Sequence, residues 1–169
     1  MQELHAHLNG SVRDTTVREL YAQRSAACPE LQQYTISDSD DRSLSECFEL
    51  FNIVHAVTDS CDVIRRITAE VIEDFADDNV VYLELRTTAR ASAATGMTRQ
   101  SYVESVIDVI EQYRTLRPEI VVKLLLSINR AHSAYEPLLA RACSCSRSCS
   151  PVIVARCTAK KPWPWCSWL

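Results

Sequence analysis

The sequence predicts an α/β fold assembled from successive strand–helix units. Residues 62–77 carry apolar side chains at helical spacing, and the period then switches at residues 80–86 to the alternation of a strand. Residues 120–128 form a near-continuous apolar run of the kind buried on both faces of a parallel sheet. Strand, helices, strand, helix, strand is the order these patterns give. At 169 residues the chain holds one domain with a real core, yet falls short of the ~250 residues of an eight-unit barrel.

In order, residues 4–8 are a short strand closed by Asn9-Gly10-Ser11. Ser11 and Asp14 have capping-box spacing, so a helix with Val17, Leu20 and Tyr21 on one face should start there. Residues 35–42 are a polar loop, after which Ser43 and Glu46 should open a second helix. Leu44, Cys47, Phe48, Phe51 and His55 recur at the spacing of a buried face. The third helix, residues 62–77, should bury Ile64, Ile67, Val71 and Phe75. Thr98 begins a fourth, with Tyr102, Val106, Ile110 and Tyr113 on one side.

Apolar residues make up 47% of the chain, charged residues 24%, and the net charge is −4. That balance suits a soluble globular protein and gives no global reason to expect nucleic acid as a partner. No apolar run approaches the ~20 residues of a membrane span, and the start lacks a secretory pattern. The expected location is the cytosol. The average conceals a break: residues 1–130 hold 13 basic against 21 acidic residues, while 131–169 hold five basic residues and only Glu136. The second segment also carries five of the eight cysteines (Cys143, Cys145, Cys149, Cys157, Cys166) and all three tryptophans. Its Cys-x-Cys and Cys-x₃-Cys spacings lack the Cys-x₂-Cys pairs of common zinc modules.

His5 and His7, one residue apart on a strand, project from the same face and can together offer two imidazoles to a divalent metal. Taken alone, His-x-His is more often two unrelated polar residues. His55 taken alone is a core-edge histidine beside Phe48 and Phe51. Thr87-Thr88-Ala89-Arg90 directly follows a strand; its hydroxyls and forked guanidinium suit a phosphate monoester, or else form an ordinary exposed loop. Glu84 and Arg86 share a strand face and are expected to pair structurally.

Glu3-Leu4-His5-Ala6-His7-Leu8-Asn9-Gly10-Ser11 resembles the opening motif of the adenosine deaminase family, and Asn9 is similar to the branch that deaminates N6-methyl-AMP. The resemblance continues through Cys47-Phe48-Glu49-Leu50-Phe51 with His55, Tyr82-Leu83-Glu84-Leu85-Arg86-Thr87-Thr88-Ala89-Arg90, and Ala94-Thr95-Gly96-Met97-Thr98, to about residue 130. It implies a partial (β/α)₈ TIM-type barrel of the metal-dependent hydrolase superfamily, about its first three strands, followed by an irregular tail at 131–169 expected to be disordered. It implies zinc, one ion per complete site, with His5 and His7 as ligands. It implies substrate contacts at His7, Asn9, His55, Thr87, Thr88, Ala89 and Arg90, with Ala89 departing from the proline usual there.

The activity implied is zinc-dependent hydrolysis of N6-methyl-AMP, or a related N6-substituted purine nucleotide, to IMP; the close alternative is adenosine or AMP deamination. The partner is a small-molecule nucleotide, and the resemblance implies a monomer. The third histidine ligand, the proton-shuttling glutamate and the aspartate pair implied by the family have no counterparts after residue 130. The chain alone is therefore expected to be inactive, or to be a non-catalytic isoform or interaction remnant. An alternative exon, a frameshift or a gene-model error would account for the tail.

Overall fold

The computed structural model describes residues 1–25, 44–127 and 152–154. Its elements are β1 (Gln2–His7), a 3-10 turn (Leu8–Gly10), α1 (Asp14–Ser25), α2 (Leu44–Val57), α3 (Cys61–Asp77), β2 (Tyr82–Thr87), α4 (Arg99–Leu116), β3 (Val121–Leu126) and β4 (Val152–Val154). The strands form one parallel sheet in the order β1-β2-β3-β4. From β1 to β3, consecutive parallel neighbours are joined through helices, the arrangement of a barrel segment that the alternating patterns predict.

Alternation sorts the side chains of the sheet. Ala6, Leu83, Leu85, Val122, Leu124 and Leu126 are buried on one face, against α3 and α4, which supply Ile64, Ile67, Val71, Ile72, Tyr102, Val106 and Ile110. Each large aliphatic side chain buried in this way contributes about 1.5–3 kcal/mol relative to exposure. A second cluster joins Val17 and Leu20 of α1 to Ile53, Val54 and Val57 of α2, bridged to the main core by Val12 and Val63.

The helix ends follow local chemistry. Ser60 caps α3 by accepting from the Val63 amide. Asn79 adopts φ 60°, a left-handed conformation that asparagine tolerates better than most residues. The amides of Asn79 and Val80 then satisfy the carbonyls of Ala76 and Phe75, closing the helix in a Schellman motif. Thr98 and Ser101 form a reciprocal capping box on α4.

Two expectations are corrected. Ser11 does not cap α1: its hydroxyl donates to the His7 carbonyl, because the 3-10 turn intervenes and α1 begins at Asp14. The buried face of α2 comprises Ile53, Val54 and Val57, whereas Phe51 and His55 are exposed, since that helix packs on α1 through its other side. Within the 131–169 segment, Val152–Val154 form β4. The predicted loop at 35–42, Ser43 as a cap, and the rest of that segment lie outside the described residues.

Among the described residues, no helix is long and apolar enough to cross a membrane.

Candidate active site

The site is built on an irregularity in β1. Glu3 pairs with Leu83 and Ala6 with Leu85, so three steps along β1 match two along β2. This is a β-bulge, with one extra residue in β1. Beyond it His7 pairs with Arg86, which places the histidine on the face away from the helices, because paired residues project to the same side. His5 lies beside it, with ring centroids 5.1 Å apart and planes inclined at 43°. The His5 amide donates to Glu3 Oε1 at 2.8 Å, fixing the bulged backbone.

The imidazole of His7 is held below its ordinary pKa by burial first, then by His5 and Arg86. A neutral ring is the form that ligates a metal. Two adjacent imidazoles on one face fit two positions of a zinc site, and a catalytic site normally takes three protein ligands and a water. Among the described residues no group of three His, Cys, Asp or Glu side chains could hold a metal. The fit is therefore partial, and no chemical step is derived through the ion.

Arg86 and Glu84 do not form the structural pair expected of them. Glu84 accepts instead from the Tyr82 hydroxyl at 3.2 Å, and the buried Nε of Arg86 has no hydrogen-bond partner. That guanidinium lies beside the histidines on the open face.

The wall next to this pair comes from the 3-10 turn and α2. Gly10 lies under the Phe51 ring, whose edge is 3.8–3.9 Å from where a Cβ at Gly10 would stand. His55 is one turn further along α2, on the same exposed side. Desolvation chiefly, and Arg90 secondarily, keep its imidazole below the ordinary pKa. Helical spacing predicts Phe51 as a core residue; its position over Gly10 makes it a wall of the cleft instead, a distinction that spacing alone cannot draw.

The loop after β2 supplies the remaining predicted residues, in two environments. Thr87 and Ala89 are buried, and the Thr87 hydroxyl bonds to Tyr102 Oη at 2.7 Å. Thr88 and Arg90 are only partly buried. Arg90 reaches to α2: Nη1 donates to the His55 carbonyl at 2.9 Å, and Nη2 donates to the Thr58 hydroxyl at 2.7 Å and carbonyl at 3.2 Å. Its buried Nε has no hydrogen-bond partner, nor does the buried Oδ1 of Asn9. These groups are one donor and one acceptor set in buried positions from different segments, the condition in which a bound polar ligand would complete the pairing.

The loop is pinned further out. Gly96 takes φ +71° in the turn that lets the Ser92 amide donate to Met97 at 2.8 Å. The Thr95 hydroxyl donates to the Asp59 carbonyl, and Asp59 is paired with Arg24 of α1. Thus α1, α2 and the β2–α4 loop form one wall.

The adenosine deaminase family model matches residues 1–155 of the chain. Over 128 residues the chain is 43% identical to a human N6-methyl-AMP deaminase and 44% identical to the mouse protein, covering 76% of this chain and 36% of each relative. It is 40% identical to an N6-mAMP deaminase of Arabidopsis thaliana, covering 76% of this chain and 42% of that protein. The chain thus spans well under half the length of these curated relatives. Among solved structures, Arabidopsis ADAL complexed with IMP superposes with a TM-score of 0.72 at 37% identity, over 92% of this chain and 48% of that one. An apo N6-methyl-AMP deaminase from Arabidopsis gives 0.70 at 35% identity, over 96% and 50%. A zinc-bound amidohydrolase at 19% identity and TM-score 0.63 shares the fold.

Proposed function

Because the chain belongs to the adenosine deaminase family, we propose that it carries the amino-terminal part of a purine-nucleotide deaminase site, of the kind that converts N6-methyl-AMP to IMP. The observation that carries this reading is the tilted pair of His5 and His7 on the open face of the sheet, 5.1 Å apart, with the unpartnered Oδ1 of Asn9 close by in sequence. In a complete site zinc would be held by these two imidazoles and further donors, and would lower the pKa of a bound water.

Each residue has a role in the proposal. His7 and Asn9 face the purine or ribose. His55 and Phe51 line the opposite wall, where an aromatic ring suits the face of a base. Arg90 and Thr88 are the groups of the β2–α4 loop best placed for a 5′-phosphate. Thr87 and Ala89 act from within the core, by fixing the loop. The segment 131–169 is assigned no role in the pocket. The two histidines alone are an incomplete ligand set, so the chain by itself is expected to bind zinc weakly and to turn over slowly or not at all.

That relatives of this chain are named N6-methyl-AMP deaminases supports a nucleotide substrate in this reading. The second reading is an adenosine or AMP deaminase. The test is conversion of N6-methyl-AMP to IMP by the chain with added zinc, compared with AMP and adenosine. Absence of nucleotide binding by the chain, with zinc present, would overturn the proposal. Preference for adenosine would select the second reading.

A further inference from the structure

We propose that Thr58, the residue directly after α2, is a positioning residue for nucleotide binding: its hydroxyl accepts from Arg90 Nη2 at 2.7 Å and thereby fixes which N–H groups that guanidinium offers to a 5′-phosphate. The role rests on the reading of this cleft as a nucleotide pocket with Arg90 as its phosphate-facing cation.

Thr58 is fully buried, so bulk water does not compete for its oxygen. A threonine hydroxyl has one proton and two lone pairs. The proton goes to the Val54 carbonyl at 2.7 Å, one turn back along α2, which leaves the oxygen as an acceptor. A guanidinium can only donate, so the bond from Arg90 has one possible direction. Threonine is also stiff about its first torsion, and the bond back to the helix selects the rotamer.

Counting donors shows what this does to Arg90, which has five N–H groups. Nη2 bonds to Thr58 alone, at its hydroxyl and at its carbonyl 3.2 Å away, and Nη1 gives one bond to the His55 carbonyl. Nε makes none. The groups left for a ligand are therefore Nε–H and the second N–H of Nη1. Without the Thr58 oxygen the guanidinium would keep only backbone acceptors on α2 and gain freedom to turn. Ordering it would then fall on the ligand, at a cost in affinity.

The acceptor is itself anchored independently of Arg90. The Thr58 amide donates to the Val54 carbonyl at 3.0 Å. The carbonyl of the next residue, Asp59, accepts from Thr95, further along the loop that carries Arg90, and the Asp59 side chain pairs with Arg24 of α1. Loop and helix end are thus tied together even when the hydroxyl is removed. What the hydroxyl decides is the orientation of the cation.

The experiment makes Thr58→Val in the full chain, which keeps the shape and removes the oxygen, and Thr58→Ser, which keeps the oxygen. Binding of IMP and of inosine, which lacks the phosphate, is titrated calorimetrically with zinc present, and the Arg90 Nε–H is followed by ¹⁵N NMR. The expected result for Thr58→Val is a loss of IMP affinity of about tenfold, the scale of one hydrogen bond to a charged group, with little change for inosine and a shifted Arg90 signal. Thr58→Ser should recover IMP binding. Unchanged IMP affinity, equal losses for both ligands, or no recovery in the serine variant would overturn the role while leaving the pocket reading in place. No IMP binding by the unmodified chain would overturn the pocket reading, and this role with it. Should the valine variant not fold, the Thr58 hydroxyl proton of the unmodified chain is followed instead: it must persist in water and shift with IMP but not with inosine, and failure of either overturns the role.

Discussion

Arg90 Nη1 donates to the backbone carbonyl of His55 at 2.9 Å, so the loop after β2 holds the last turn of α2 through that helix's own peptide group. The carbonyls at a helix C-terminus lack intrahelical partners and carry partial negative charge. A guanidinium satisfies several at once, which an ammonium cannot do with the same planar fork.

Arg90→Lys therefore keeps the charge but loses the fork to Thr58 and His55. The expected cost is about 1–3 kcal/mol, the scale for losing hydrogen bonds to a charged group and leaving buried partners unpaired. Urea denaturation would measure it. An unchanged midpoint would mean that solvent already satisfies those carbonyls.

The depressed pKa of His55, at about 4, predicts a pH dependence of folding. Between about 4 and the unfolded value of ~6.5 the unfolded chain binds more protons, so stability rises with pH across that window and is complete above it. His55 faces solvent on one side, which keeps the slope shallow. His55→Gln should flatten the part of the profile that His55 supplies, leaving the same-signed part from His7. Unfolding measured at intervals from pH 4 to 7 tests this, and a profile identical to wild type would refute it.

Zinc binding should depend on both imidazoles. His5→Ala or His7→Ala leaves one ligand, and either change should remove any zinc-induced rise in melting temperature, because stabilisation by a ligand scales with its affinity for the folded state. A rise that survives both changes together would place the metal elsewhere.

At Asn79, φ 60° predicts opposite outcomes for two substitutions. Asn79→Gly should be nearly neutral, since glycine enters that region freely. Asn79→Val should lose about 1–2 kcal/mol, because a β-branched side chain clashes there. Thermal unfolding of the two variants distinguishes this backbone account from one based on the asparagine side chain.

Much of this was legible in the sequence. Thr98 starting α4, and Ile64, Ile67, Val71, Tyr102, Val106 and Ile110 as buried positions, follow from spacing and capping chemistry, which are local. The face of α2 was not legible. Its residues are apolar nearly all round, so periodicity could not choose between Phe51 and Ile53; contact with α1 decided it. The bond between Tyr102 and Thr87 was equally hidden, because α4 and the end of β2 meet only after the helix has packed on the sheet. Residues 87–90 read as one phosphate-facing string, yet alternation and the turn send Thr87 and Ala89 inward.

The extra residue between Glu3 and Ala6 makes the site a matter of parity. With plain pairing from Glu3 onward, His5 would stand opposite Leu85 and His7 opposite Thr87, on the side packed by helices. One inserted position sends both imidazoles to the opposite side while leaving Ala6 in the core. Removing Leu4, or adding one residue beside it, would thus invert the address of every side chain that follows in the strand. Adding or removing two would not. An odd change in chain length at that point alters which compartment the chemistry occupies, and an even one alters only where along the strand it sits.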